Sequence, residues 1–346
     1  MTRYYTYDEI TRQPSTWEKT ITQLLNKADE LNKFFKDVKP DEVIFTGCGT
    51  SFYISIAAAL VFEEITGISA KAVPASEIFL KPEATINKNK RTLLIGSSRS
   101  GTTTEVIRAV DYVNKNNLGT SFIVTGYPDS ELAETADYSI ALSHIQEKSV
   151  VMTSSFTNIL LALHVFAGIV AGNKRFISEL KSIPAIGDKI IQDAEEQGKN
   201  IGAQGKYNHY IYLGLGAYLG LACEGMLKMK EMTQAVCEAF NPLEFRHGPI
   251  SVLTNQCQVI LLNNQSIELY EKDVILDIQS YGANTVVIGD LSEDFGNHII
   301  RLPKGLSDAA RGILYLPYLQ YIAYFKTINL GLNPDTPRNL TQVVKL

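Results

Sequence analysis

The sequence predicts an α/β protein with two parallel sheets, each flanked by helices, on three observations. Strand-like apolar runs alternate with helix-like runs along most of the 346 residues, the pattern of parallel strands joined by helical crossovers. The leading strands end in glycine-bearing turns, as in "EVIFTGCG" and "YIYLGLG". Landmarks of the first half also recur in the second. Gly47 answers to Gly214, Ser97–Ser100 to Asn263–Ser266, and Gly126 to Gly289, at offsets of 167, 166 and 163 residues, which indicates duplication followed by divergence.

In order, "EVIFTG" (42–47) reads as a strand before the helix "SIAAALVFEEITG", and "RTLLIGS" (91–97) as a strand before "EVIRAVDYVNKNN". "SFIVTG" (121–126) and "DYSIAL" (137–142) follow as further strands. Two helical stretches, "TNILLALHVFAGIVAGN" and "FISELKSIPAIGDKIIQDAEEQ", link the halves. The second half repeats the plan with "YIYLGLG" (210–216), "QVILLNN" (258–264), "NTVVIGD" (284–290) and "HIIRLP" (298–303). The expected division is residues 1–175, opening with a helical segment, and 176–346, ending in a tail. The run at 312–332 is broken by Pro317, Gln320 and Lys326, so it reads as a buried helix, not a membrane span.

Composition narrows the function. A net charge of −5 and a pI near 5.7, with no basic run, argue against nucleic-acid binding. The N-terminus lacks the basic and apolar segments of a signal peptide, and a cytoplasmic protein is expected. Cys48, Cys223, Cys237 and Cys257 form no CxxC pair or zinc spacing, and the five histidines do not cluster, so reduced thiols and no metal are expected. No organic cofactor is signalled.

The loop "GSSRSGTTTE" (96–105) follows a strand and precedes a helix. Backbone N–H groups at such a junction, with the hydroxyls of Ser98, Ser100, Thr102, Thr103 and Thr104, suit a compact phosphoryl group. The other reading is a helix N-cap with surplus polar residues. The spacings GxxxxGK[ST] and GxGxxG are both missing. "TGCGTSFY" (46–53) forms a second such turn, whose Thr50 and Ser51 can face the same crevice. The second half carries "NNQSIELYE" in place of the loop, without its glycine and threonines, so a single anion site per chain is expected.

In "LACEGMLKMKEMTQ" (221–234), Glu224, Lys228 and Glu231 share one helical face and Lys230 points elsewhere. The stripe is either a solvated ion pair or a polar line in a cleft, where a carboxylate can move a proton on carbon. His247, in "EFRHGPIS" (244–251), stands before a Gly-Pro turn. It is either an ordinary surface or structural histidine or a group for proton transfer to oxygen.

Together, "GCGTS", "SSRSGTTTE", "EKSVVMTSSFT", "CEGMLKMKE", "EFRHGP" and "NPDTPRNL" resemble, in order and over nearly the whole chain, the tandem sugar-isomerase (SIS) family. The likeness is to the isomerase part of glucosamine-6-phosphate synthase and to SIS-type amino-sugar-phosphate deaminases. It implies two flavodoxin-like subdomains, with Thr50, Ser51, Ser98, Arg99, Ser100 and Thr103 around the phosphate and sugar hydroxyls and the Val150 backbone against the sugar. It further implies Glu231 as the base between C1 and C2, flanked by Glu224 and Lys228, and His247 as the ring-opening group supplied by the other subunit of a homodimer. The family's tail lysine, which forms a Schiff base, is replaced by Gln342, with Lys345 three residues further on. With no N-terminal nucleophilic cysteine, glutamine is not expected to be the ammonia source. The function implied is conversion of glucosamine 6-phosphate to fructose 6-phosphate and ammonia, or a similar aldose–ketose isomerisation. A fructosamine-6-phosphate deglycase and a non-catalytic sugar-phosphate sensor stand as alternatives.

Overall fold

The computed structural model describes residues 3–342 and separates into two compact units. The first-sheet unit holds Arg12–Ala185 with Thr341 and Gln342; the second-sheet unit holds the residues up to Thr11 with Ile186–Leu340. The division therefore lies later than the expected 175/176, inside a continuous helix, and the first helix groups with the second half.

Three helices come first: α1 (Tyr5–Thr11), α2 (Gln13–Asn26) and α3 (Ala28–Val38). The first sheet then alternates β1 (Glu42–Gly47), α4 (Thr50–Thr66), β2 (Ala70–Pro74), α5 (Ala75–Leu80), α6 (Pro82–Thr85), β3 (Thr92–Ser98), α7 (Thr104–Lys115), β4 (Thr120–Thr125), α8 (Glu131–Thr135) and β5 (Tyr138–Ala141). Next come α9 (Ser154–Val170) and α10 (Lys174–Gly202). The second sheet runs β6 (His209–Gly214), α11 (Ala217–Thr233), β7 (Val236–Phe240), α12 (Pro242–Phe245), β8 (Cys257–Leu262), α13 (Glu268–Ser280), β9 (Asn284–Gly289), β10 (His298–Arg301) and α14 (Asp308–Asn329).

Every strand pair is parallel, in the order β2-β1-β3-β4-β5 and, read the same way, β7-β6-β8-β9-β10. The two sheets thus share one topology, as the repeated landmarks suggested. The edge strands β2 and β7 are the strands the apolar pattern missed. Each is only five residues long and partly exposed, so neither carries the continuous apolar run of a central strand.

Central strands β1 and β3 are buried at every residue. In the first unit α9 is buried from Ser154 to Ile169, and the Phe122 and Phe166 rings stack 4.8 Å apart. Its polar side chains are matched by α2: Trp17 Nε1 donates to Thr157 Oγ1 (2.9 Å), and Thr20 Oγ1 donates to Asn158 Oδ1 (2.6 Å). In the second unit α14, the helix expected at 312–332, is buried from Ala309 to Tyr324 with Pro317 inside it. Two of its tyrosines donate their hydroxyls to acceptors, Tyr315 to the Asn263 carbonyl and Tyr318 to Asp193 Oδ2 (2.6 Å each). No helix among the described residues is long and apolar enough to cross a membrane.

Two glycine pairs start the first helix of each sheet. A Cβ on Gly47 would lie 2.5 Å from the Ser51 carbonyl carbon, and one on Gly214 would lie 2.2 Å from the Tyr218 oxygen. Gly49 and Gly216 take left-handed φ values of 54° and 60°.

The loop after β8 is closed by its own helix. Glu271 is buried on α13 and accepts from Asn263 Nδ2 (2.7 Å) and from the Asn264 backbone N–H (2.8 Å). Burial pushes its carboxyl up from the ordinary 4.5 to about 8. The folded protein therefore keeps a proton that the unfolded chain loses, and stability falls as pH rises from about 4.5 to about 8. Glu271→Gln, which cannot ionise, is expected to match the parent protein in urea melts near pH 5. Above pH 8 it should exceed it by a few kcal/mol, on the order of the shift at about 1.4 kcal/mol per unit. Equal stability across that range would refute the assignment.

Candidate active site

In the first sheet β1 and β3 are neighbours, paired from Glu42↔Thr92 to Thr46↔Gly96. The chain runs outward from them in opposite directions, so the crevice beyond their carboxyl ends is a topological switch point, where α/β sheets bind ligands. Both turns picked out in the sequence open there. After β1, Gly49 starts α4 without a side-chain cap, and Thr50 and Ser51 form its buried first turn. After β3, Thr103 occupies the N-cap position of α7 but makes no capping bond, because its Oγ1 pairs with Ser98 Oγ at 2.9 Å. The loop is therefore not a conventional side-chain cap. Two helix starts lie side by side without side-chain caps, each carrying partial positive charge.

Within the loop the hydroxyls hold the backbone in place. Ser98 Oγ accepts from the Gly101 N–H (3.1 Å), and Ser100 Oγ accepts from the Thr102 N–H (3.2 Å) and from Thr102 Oγ1 (3.0 Å). Gly101 has φ 66°, and a Cβ there would lie 2.1 Å from Ser130 Oγ, so glycine is required. The second-sheet counterpart differs in kind, since Asn263 and Asn264 give their donors to Glu271.

Arg99 does not face outward from the loop. Its guanidinium is buried against Glu147 (Nη1 to Oε2, 3.2 Å) and donates to the carbonyls of Ser149 (3.3 Å), Val150 (2.9 Å) and Val151 (3.4 Å). The expected place among the sugar and phosphate contacts thus goes with a side chain turned onto residues 147–151. Val150 is brought to Arg99 through its own carbonyl. Glu147, which sequence reasoning missed, also accepts from the Thr153 N–H and hydroxyl and from the Ser155 N–H, each at 3.0 Å. One signal for it was present: a lone acid just before "TSS" at a helix start. Its arginine partner lies 48 residues away.

In the second-sheet unit α11 carries the charged stripe. Gly225 lets this helix lie close to the sheet, where a Cβ would meet the Tyr212 ring at 2.8 Å. Lys228 Nζ sits 2.6 Å from Glu231 Oε2 and 3.4 Å from Glu224 Oε1. The Lys228 and Glu224 side chains are 1% and 0% exposed, against 19% for Glu231, which rules out a solvated surface pair. The ammonium holds two carboxylates, and Glu231 alone of the three has an edge open to solvent. Lys230 is exposed on another face, as its spacing required.

His247 is exposed on the turn after α12. Asn241 caps that helix by accepting from the Leu243 and Glu244 N–H groups, and the Arg246–Asp277 pair (2.6 Å) ties the turn to α13. Gly248, at φ 120°, and Pro249 then redirect the chain. All four cysteines are free, and burial raises the thiols of Cys48 and Cys237 to about 12 and that of Cys223 to about 11, so these three are not activated nucleophiles. Among the described residues no cluster of three or more His, Cys, Asp or Glu could hold a metal ion. At the tail, Gln342 donates its amide to the Lys148 and Ser149 carbonyls, while Lys345 lies outside the described residues.

Comparison with known proteins agrees with this architecture. Residues 38–168, which span the first sheet, match the SIS domain. The glutamine–fructose-6-phosphate aminotransferase [isomerizing] of Sulfurisphaera tokodaii is 27% identical over 99% of this chain, and this chain spans 56% of its length. It thus covers little more than half of the curated relatives of this kind. The D-galactosamine-6-phosphate deaminase of Escherichia coli O157:H7 is 27% identical over 96% of this chain and 91% of its own. The crystal structure of glucosamine-6-phosphate deaminase from Thermotoga maritima superposes with a TM-score of 0.78 at 28% identity, covering 95% of this chain and 100% of that one. Residues 38–168 are thus a SIS domain, and the second sheet repeats its strand order.

Proposed function

We propose that this protein is an amino-sugar-phosphate deaminase that converts glucosamine 6-phosphate, or its galacto epimer, to the ketose 6-phosphate and ammonia. The observation that carries the reading is the pair of uncapped helix starts at the β1–β3 switch point, lined by Thr50, Ser51, Ser98, Ser100 and Thr103. Such a cradle suits a phosphate monoester, whose dianion takes several N–H and hydroxyl donors without a fixed cation. The deaminase names of two relatives support the amino-sugar choice.

In this reading His247 opens the ring by exchanging a proton with the ring oxygen, and a second copy of the chain supplies it in a homodimer. Glu231 removes the C2 proton of the open aldose, whose carbonyl makes that proton acidic, giving an enolamine, and returns the proton to C1. The product is the ketose imine, which water hydrolyses to ketone and ammonia. Lys228 fixes the Glu231 carboxylate through the 2.6 Å contact, and Glu224 lies on the other side of the ammonium. Position 342 carries an amide and not an amine, so this sequence of steps uses no lysine imine there.

Incubation with glucosamine 6-phosphate is expected to release fructose 6-phosphate and ammonia in equal amounts. Ketose without ammonia would favour simple isomerisation, and a raised melting temperature with no product would favour a sensor. Glu231→Gln should lower kcat by about 10²–10⁴-fold with little change in KM, the range for losing a general base; unchanged turnover would remove Glu231 from the mechanism. Ser98→Ala should instead raise KM by about tenfold, as for loss of a hydrogen bond to a charged group. Ser266→Ala in the second sheet, at the position that answers to Ser100, should leave KM unchanged.

A further inference from the structure

Residues 148–152 show an asymmetry between the two sides of their backbone. Four successive carbonyls accept hydrogen bonds from side chains. Gln342 Nε2 donates to Lys148 and Ser149 (3.1 Å each), Arg99 to Ser149, Val150 and Val151, and Ser149 Oγ to Val151 (2.9 Å). In a trans peptide the N–H points opposite to the carbonyl of the same unit. The N–H groups of Val150, Val151 and Met152 are therefore turned away from the guanidinium, and none donates to another atom among the described residues. Val151 is 1% exposed, and an N–H at a buried residue ordinarily has an acceptor.

We propose that Arg99 and Glu147 are positioning residues that hold 149–151 with its carbonyls inward, leaving the N–H groups of Val150, Val151 and Met152 as a donor row for the hydroxyl or oxyanion oxygens of a phosphorylated sugar. The inference rests on the function proposed above. Glu147 fixes the guanidinium and, through the Thr153 and Ser155 N–H groups, fixes the chain on the far side of the row. A cation on the carbonyl side also polarises each peptide and strengthens its N–H as a donor. Gln342 extends the same clamp from the tail.

Hydrogen exchange of the full-length protein tests this, with glucosamine 6-phosphate and inorganic phosphate as probes. In the parent protein the sugar phosphate should slow exchange at residues 150–152 by about tenfold or more. Arg99→Gln and Glu147→Gln should each abolish that protection and raise KM about tenfold with little change in kcat. The double variant should be no worse than either alone, as for groups acting as one unit. Arg99→Lys should restore part of the protection, and inorganic phosphate should bind Arg99→Gln within about twofold of the parent. Gln342→Ala, which leaves the buried pair intact, should give a smaller loss of protection even if the pair variants fail to fold.

A tenfold loss of phosphate affinity in Arg99→Gln would make Arg99 a phosphate ligand and overturn the proposal. So would a bound sugar phosphate that leaves 150–152 exchanging as before, which would assign the row to water. If no sugar phosphate binds the parent protein, the proposed function and the donor row both fall. The clamp alone is then judged in the free protein by the Thr153 and Ser155 amides, whose exchange must quicken in Arg99→Gln.

Discussion

The closeness of helix to strand at Gly47 and Gly214 is the constraint on which the arrangement depends. At both places the helix begins so near the strand end that a single Cβ would overlap backbone atoms. Because the helix starts there, its first turn comes level with the loop that leaves the neighbouring strand. A longer linker would carry that turn away from the sheet edge. The parallel sheet makes the same demand from its side, since strands buried on both faces need a covering helix at once.

Buried charge then distinguishes the two halves. Each sheet is built on similar apolar strands, but the ionic groups placed around them differ. The first-sheet unit contains Arg99 with Glu147. The second contains Lys228 between Glu224 and Glu231, and Arg311 between Asp290 and Asp308. Desolvation makes such groups poor sources of stability compared with apolar side chains, so their value lies in holding particular atoms in particular places. Only Glu231 retains an exposed edge in the α11 group, which separates the carboxylate open to solvent from the one buried beside the ammonium.

Much of this was legible in the sequence, for identifiable reasons. Central strands announce themselves by unbroken apolar runs, and the strand–glycine–helix junctions by residues whose backbone demands are narrow. The spacing of Glu224, Lys228 and Glu231 placed them on one face because helical geometry is local. Whether that face was wet or dry is a property of packing, and only the structure shows it buried. The edge strands β2 and β7 were illegible because half-exposed, five-residue segments carry no distinct period. The roles of Arg99 and Glu271 were illegible because each is decided by where one side chain turns. An arginine amid hydroxyls reads as an anion contact until its guanidinium is seen on the carbonyls of a segment some fifty residues away.

Glu271 gives the duplication a thermodynamic meaning. A carboxyl group attached to the helix behind the loop is a ligand on a very short tether, with an effective concentration set by the chain and not by the solution. The second-sheet loop is consequently closed from behind by its own helix. In the first-sheet loop the hydroxyls of Ser98, Ser100, Thr102 and Thr103 bond to one another and to the loop's own N–H groups instead. One strand order thus carries one loop held by a carboxyl group and one held by hydroxyls.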